Sequence, residues 1–178
     1  MWASFLRAIV CPSLRCGIEG AILDRLASIG ALTKAIEGRP ILPCNALIMV
    51  GDEQETLREI AHQIARGFQT IKVKISPLTA ESTLRAVRAS NLPPTTRIRL
   101  DANRSFTTQE WSSVAKELAN LPIEYVEEPV LTADELPAII KREDIPIAID
   151  ETTRDTAPEE WIRWGVRAVV LKPSLNGG

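Results

Sequence analysis

The chain has 178 residues, 45% hydrophobic and 25% charged, which allows one domain or one and a half with enough apolar material for a core. Its 21 basic and 23 acidic residues leave a net charge of −2, and aromatics are only 4%, so neither a nucleic-acid surface, a stacking platform nor an anionic-membrane anchor is expected. The three cysteines, Cys11, Cys16 and Cys44, form no C-x-x-C pair and stand beside a single histidine, His62, which argues against a disulfide framework or zinc site and predicts buried free thiols in a reducing cytosol.

The opening "MWASFLRAIVCP" is apolar but interrupted by Arg7; it is too short to span a bilayer and lacks a signal-peptide layout. A cytoplasmic protein that starts late within a larger ancestor is expected. Residues 17–36 predict a helix with Ile18, Ala21, Ile22, Leu26 and Ile29 on one stripe. Residues 42–50, "LPCNALIMV", predict a strand. Residues 52–68 predict a helix with an acidic first turn and a buried stripe of Leu57, Ile60, Ala61, Ile64 and Phe68; His62 falls in its middle, which disfavours a His-dependent nucleophile.

"IKVKI" at 71–75 reads as a strand and 81–90 as a helix. Residues 97–103, "RIRLDAN", read as a strand, and 107–121 as a helix opened by a capping box of Thr107 and Glu110. "IEYVEEP" (123–129) is a strand, followed by a helix from about Thr132 whose first turns Pro137 disturbs. "IPIAIDE" (145–151) is a strand, "APEEWIRWG" (157–165) a short helix between Pro158 and Gly165, and "RAVVLKP" (167–173) the last strand.

Alternation at this spacing predicts parallel strands joined by right-handed crossovers. No G-x-G-x-x-G or Walker sequence follows a strand, so a (β/α) barrel is expected rather than a Rossmann sheet. Each apolar run ends in a charge, at Lys74, Asp101, Glu127, Asp150 and Lys172. In a parallel barrel those ends share one rim, where barrel enzymes keep their active sites. Alternation places Lys72 and Lys74 on one face and Ile71, Val73 and Ile75 on the other. Likewise Arg97, Arg99 and Asp101 oppose Ile98 and Leu100, so the polar face is the barrel interior. Three carboxylates on adjacent strands repel one another, and a hard divalent cation such as Mg²⁺ resolves the repulsion. A lysine beside such an ion and a second ammonium gives up its proton more readily. Base plus metal is the arrangement for removing a proton alpha to a carboxylate.

K-x-K, D-A-N, V-E-E-P, I-D-E and L-K-P on successive strands resemble the muconate-lactonising branch of the enolase superfamily. "RLDANRSF" (99–106), "AVVLKPSLNGG" (168–178) and "PSLRCGIEGAILD" (12–24) narrow the likeness to the o-succinylbenzoate synthases, the last stretch being similar to a capping-domain helix. The resemblance implies a carbon–oxygen lyase of menaquinone and phylloquinone synthesis that dehydrates a succinyl-hydroxycyclohexadiene carboxylate. It implies Lys74 as base and then general acid, and Lys172 on the opposite face as an electrostatic stabiliser. It implies Asp101, Glu127 and Asp150 as ligands of Mg²⁺, with Mn²⁺ able to substitute. Lys72 and Arg99 become substrate contacts, and Asn103, Glu128 and Glu151 orient the ligands.

A complete eight-stranded barrel takes about 250 residues. The expected organisation is therefore a capping-domain remnant over 1–40 and an incomplete barrel of about six strands over 41–178. The oligomeric state is open. Two alternatives also remain: an N-acyl amino acid racemase or dipeptide epimerase of the same superfamily, and a remnant without catalysis.

Overall fold

The computed structural model describes residues 8–31, 42–49 and 51–176. The chain divides into two compact units, Met1–Pro43 with Leu171–Gly178, and Cys44–Val170.

In the first unit, helix α1 spans Pro12–Ser28. It begins earlier than the apolar pattern predicts because Pro12 takes the first turn, where no amide hydrogen is needed, after an extended Cys11. Ile18, Ile22 and Leu26 are half-buried, whereas Ala21 and Ile29 are exposed. Residues 32–36 of the predicted helix lie outside the described residues. A short helix, Pro173–Asn176, belongs to the same unit, where the Ser13 hydroxyl donates to the Ser174 carbonyl at 2.8 Å. The expectation of buried thiols is corrected: Cys11 and Cys44 are exposed and Cys16 is half-buried, all free. Cys11 precedes a helix with no buried residue and is covered by none of the described residues. No helix among the described residues is long and apolar enough to cross a membrane.

The second unit is an incomplete (β/α) barrel of the TIM type. Its six parallel strands are β1 (Ala46–Ile48), β2 (Thr70–Lys74), β3 (Arg97–Asp101), β4 (Ile123–Glu127), β5 (Ile147–Ile149) and β6 (Ala168–Val169). They lie in sequence order, β1 to β6. A doubly wound sheet would reverse order at a switch point, and this one never does. Between the strands run α2 (Glu53–Ala65), α3 (Ala80–Ala89), α4 (Thr108–Glu117), α5 (Leu136–Arg142) and α6 (Pro158–Trp164).

Local chemistry explains these limits. Asp52 caps α2 by accepting from the amides of Gln54 and Glu55 at 2.8 and 3.1 Å. Thr107 and Glu110 form the predicted capping box on α4. Pro137 sits in the first turn of α5, after a 3₁₀ turn at Ala133–Glu135. Gly165 ends α6 with φ of 85°, the left-handed cap glycine favours. The buried face of α2 differs from the predicted stripe. Thr56, Ile60 and Gln63 are buried, Leu57 and Ile64 are half-buried and Ala61 is exposed. The helix is rotated so that an i, i+4, i+7 line meets the sheet, and two polar residues are buried in that line.

The outward faces of the strands make the core. Ile71, Val73, Ile98, Leu100, Val126 and Ile149 are fully buried beneath Ile60, Leu84, Trp111, Leu136 and Ile139. Trp111 meets Phe106 edge-to-face, with centroids 6.1 Å apart and planes at 64°.

Candidate active site

Alternation turns Lys72 and Lys74 away from that core, onto the face shared with Asp101 and Glu127. Register sets their height: Lys72 lies beside Arg99, Lys74 beside Asp101, and Asp101 beside Glu127. The Lys72 ammonium donates to Glu127 Oε2 at 2.7 Å and pairs with Asp101 Oδ2 at 2.8 Å. Lys74 pairs with the same Asp101 oxygen at 2.8 Å and also donates to Asn103 Oδ1. Asp101 and Glu127 oxygens therefore lie no further apart than two such ion-pair lengths.

Asp101, Glu127, Glu128 and Asp150 are each at most 3% exposed. Burial opposes the charge on Lys72, but hydrogen bonds to Asp101 and Glu127 outweigh it and hold this ammonium above the ordinary lysine range. Burial also opposes ionisation of Asp101, yet Lys72 and Lys74 keep its carboxyl below the usual range. Glu127 goes the other way: burial raises it, Lys72 offsets part of this, and the nearby charges of Asp101 and Asp150 push it further up. Asp150 is thus an electrostatic neighbour of Glu127 at the end of β5.

The structure refines the expectation of a ready three-carboxylate cage. Among the described residues no group of three or more His, Cys, Asp or Glu side chains is gathered tightly enough to hold a metal ion. The protein's own ammonium stands between Asp101 and Glu127 instead. Glu127 Oε1 is nevertheless buried and accepts no hydrogen bond among the described residues. An orphaned anionic oxygen costs free energy unless a cation or donor meets it. The donor set, hard carboxylate oxygens from adjacent strands, fits Mg²⁺.

Glu128 leaves β4 with φ of 45°. Its Oε1 accepts the amides of Asp150 and Thr152 at 2.8 and 2.7 Å, and its Oε2 accepts the Thr152 hydroxyl at 2.9 Å and Arg104 Nε at 3.2 Å. It thereby ties the end of β4 to the turn that carries Asp150. Arg104 Nη2 extends the network to Thr152 Oγ1 at 2.9 Å and Asp155 at 3.1 Å. Asn103 and Arg104, with φ of 44° and 56°, bend the chain sharply after Asp101. The Asn103 amide returns to Asp101 Oδ1 at 3.3 Å. Arg104 and Thr152 escaped sequence reasoning, although each adjoins a recognised motif.

Three further residues of the expected site are placed as follows. Arg99 is engaged within the protein: its Nε and Nη2 hold Glu124 at 2.7 and 3.2 Å, its Nη1 reaches Asn45 Oδ1 at 3.3 Å, and its guanidinium lies 4.9 Å from the Tyr125 ring centroid. Glu151 opens the 3₁₀ turn Glu151–Arg154 with Oε2 buried and unpartnered, and no hydrogen bond joins its side chain to the three acids among the described residues. Lys172 follows β6 in the chain. It precedes the helix Pro173–Asn176, where its carbonyl accepts from Leu175 at 2.8 Å.

A family model described as enolase C-terminal domain-like matches residues 55–178. The chain belongs to this family. Within the enolase superfamily its relatives include an o-succinylbenzoate synthase of Thermobifida fusca, 32% identical over 147 residues, covering 79% of this chain and 45% of that protein. One from Desulfotalea psychrophila is 28% identical over 179 residues, covering 94% and 49%. Among solved structures, the o-succinylbenzoate synthase of Thermosynechococcus elongatus BP-1, complexed with Mg in its active site, superposes with a TM-score of 0.63 at 29% identity, covering 77% of this chain and 45% of that one. The chain spans about half the length of the curated relatives it matches. An enolase-superfamily barrel with o-succinylbenzoate synthase-like sequence is what the comparisons establish.

Proposed function

We propose that this chain carries the acid–base and metal-holding part of an o-succinylbenzoate synthase, a lyase that dehydrates a succinyl-hydroxycyclohexadiene carboxylate in menaquinone or phylloquinone synthesis. The observation that carries the reading is the rim cluster in which Lys72 bridges Asp101 and Glu127 while Lys74 shares Asp101. Residues 1–40 would then belong to a capping domain and 41–178 to the barrel.

Asp101, Glu127 and Asp150 would hold Mg²⁺, which when bound supplies a Lewis acid for the negative charge that builds on the substrate carboxylate. Lys74 is the more exposed of the two paired lysines, with 29% of its side chain accessible against 18% for Lys72, so substrate can reach it. Acting as base, Lys74 would take the proton alpha to the carboxylate. The electron pair shifts into the carboxylate and returns to expel the neighbouring hydroxyl, which leaves as water on accepting that proton from Lys74. The amine ends as it began and the ring becomes aromatic, which makes the step downhill. Lys72, kept charged by two acids, holds these ligands and steers the substrate carboxylate. Lys172 supplies positive charge from the opposite face. Leu47, paired with Lys72 on β1, and Met49, just past the end of that strand, are 51% and 66% exposed and would give the carbocycle apolar surface.

Thermal melting of the 178-residue chain with and without Mg²⁺ tests the site. Stabilisation by Mg²⁺ that disappears in Glu127→Gln is expected. Formation of the aromatic product, followed by its ultraviolet absorbance and absent in Lys74→Ala, tests the reaction. Turnover that survives Lys74→Ala sinks the assignment, and deuterium exchange into an N-acyl amino acid in D₂O points to racemase chemistry instead.

A further inference from the structure

The β3–β4 pairing contains an irregularity with consequences for the rim. Ile98 pairs with Ile123, but Arg99 pairs with Tyr125, so Glu124 is an extra residue on β4. This is a bulge in a parallel pair, an uncommon place for one. Unbroken pairing from Ile98 would set Asp101 beside Val126. Side chains of neighbours in register point to the same side, so Tyr125 and Glu127 would then face the helices and Val126 the rim. With the bulge, Ile123 keeps its place opposite Ile98 on the apolar side, and Tyr125 and Glu127 turn inward beside Arg99 and Asp101.

The Arg99 guanidinium sits against this irregularity. Arg99 grips the bulged Glu124 through two nitrogens, the fork-to-carboxylate geometry that fixes orientation as well as charge. Its third nitrogen reaches Asn45, two strands away, and its flat face covers Tyr125, the residue after the bulge. Its guanidinium is thus committed on three sides, one pleat below Asp101.

We infer that Arg99 is a positioning residue, which by clamping Glu124 fixes the β4 bulge and so decides that Glu127 faces the rim beside Asp101. The inference rests on the proposed role of Glu127 only for its effect on Mg²⁺; the register effect stands by itself. It also predicts an unusual rescue. Deleting Glu124 leaves Ile123, Tyr125, Val126 and Glu127 in plain alternation, opposite the partners they have now, with no bulge left to clamp.

The test uses the 178-residue chain as Arg99→Met, as the Glu124 deletion, and as the two combined. Register is read by NMR, as the contact of Glu127 with Asp101 against that of Val126 with Asp101. Mg²⁺ affinity is read by calorimetry. Arg99→Met is expected to lose the Glu127–Asp101 contact and about 10- to 100-fold in Mg²⁺ affinity. The deletion, alone or with Arg99→Met, is expected to keep the contact and bind Mg²⁺ like the parent. Arg99→Met with unchanged register, or a deletion that loses the contact, overturns the inference. Should Arg99→Met not fold, the combined variant decides: folded and in register supports the clamp, out of register refutes it. A parent chain that binds no Mg²⁺ refutes the metal site, and the NMR register then judges the clamp alone.

Discussion

The two sides of the same strands contrast sharply. Behind β2, β3 and β4, Ile71, Val73, Ile98, Leu100 and Val126 are sealed under helices and carry no polar atom beyond the backbone. In front are Lys72, Lys74, Arg99, Asp101 and Glu127, all five of them held in ion pairs. One side is stabilised by burial, which is tolerant of detail at the level of class and volume. The other is stabilised by charge pairs whose value depends on geometry, because an unmatched buried charge costs more than a matched one returns. Damage to the back should therefore appear as lost stability, and damage to the front as lost chemistry.

The largest effect expected is at the front. If the proposed dehydration is this chain's reaction, Lys74→Ala should lower its rate by at least the general-base contribution, about 10²- to 10⁴-fold, while the melting temperature hardly moves; rate and melting measured on one preparation check both halves. At the back, Trp111→Ala should cost about 3–5 kcal/mol of stability, because the ring is fully buried against Phe106. Denaturant titration reads that cost, and unaltered Mg²⁺ affinity in the surviving folded fraction would keep the two sides separate. An intermediate case is Glu128→Gln, which alters the carboxylate that orders the Asp150 turn. Its Mg²⁺ affinity should fall by about 10- to 100-fold by calorimetry, with the helix-facing core intact by near-ultraviolet dichroism.

The smallest effect lies at a helix end. Thr107→Ala should cost about 1 kcal/mol through the lost cap. The same Thr107 amide and hydroxyl hold the Glu110 carboxyl below its usual range. A lowered carboxyl stabilises the fold above its unfolded pKa and ceases to do so as pH falls through the lowered value. The melting difference between parent and Thr107→Ala should therefore shrink in acid, and a difference that grows there would contradict this account.

Much of the fold was legible. Turn residues and apolar runs marked the strand cores β2, β3 and β4, the α4 capping box and the α6 glycine, because all of these depend on neighbours within a few residues. The charges ending the strands were expected to converge; of these Lys74 pairs with Asp101, and Lys72, one pleat earlier on β2, links Asp101 to Glu127. Less legible were the ends of elements and the inner partners of the site. The strand predicted at 167–173 shrinks to Ala168–Val169, leaving Lys172 beyond it. Arg99 looked like an anion contact because its partner, Glu124, lies on the next strand.

Sequence alone determined which residues alternate with which, since a strand repeats every two residues and that period is written in adjacent letters. It also determined the order of the parallel units and the carboxylate-and-lysine character of their ends. Only the tertiary structure decided register, the sliding of one strand against another, which no single strand encodes. The bulge at Glu124, the backbone turn at Glu128 and the rotated face of α2 all belong to that second category. Each is settled by contacts between residues distant in the chain, where packing and charge pairing outweigh local preference.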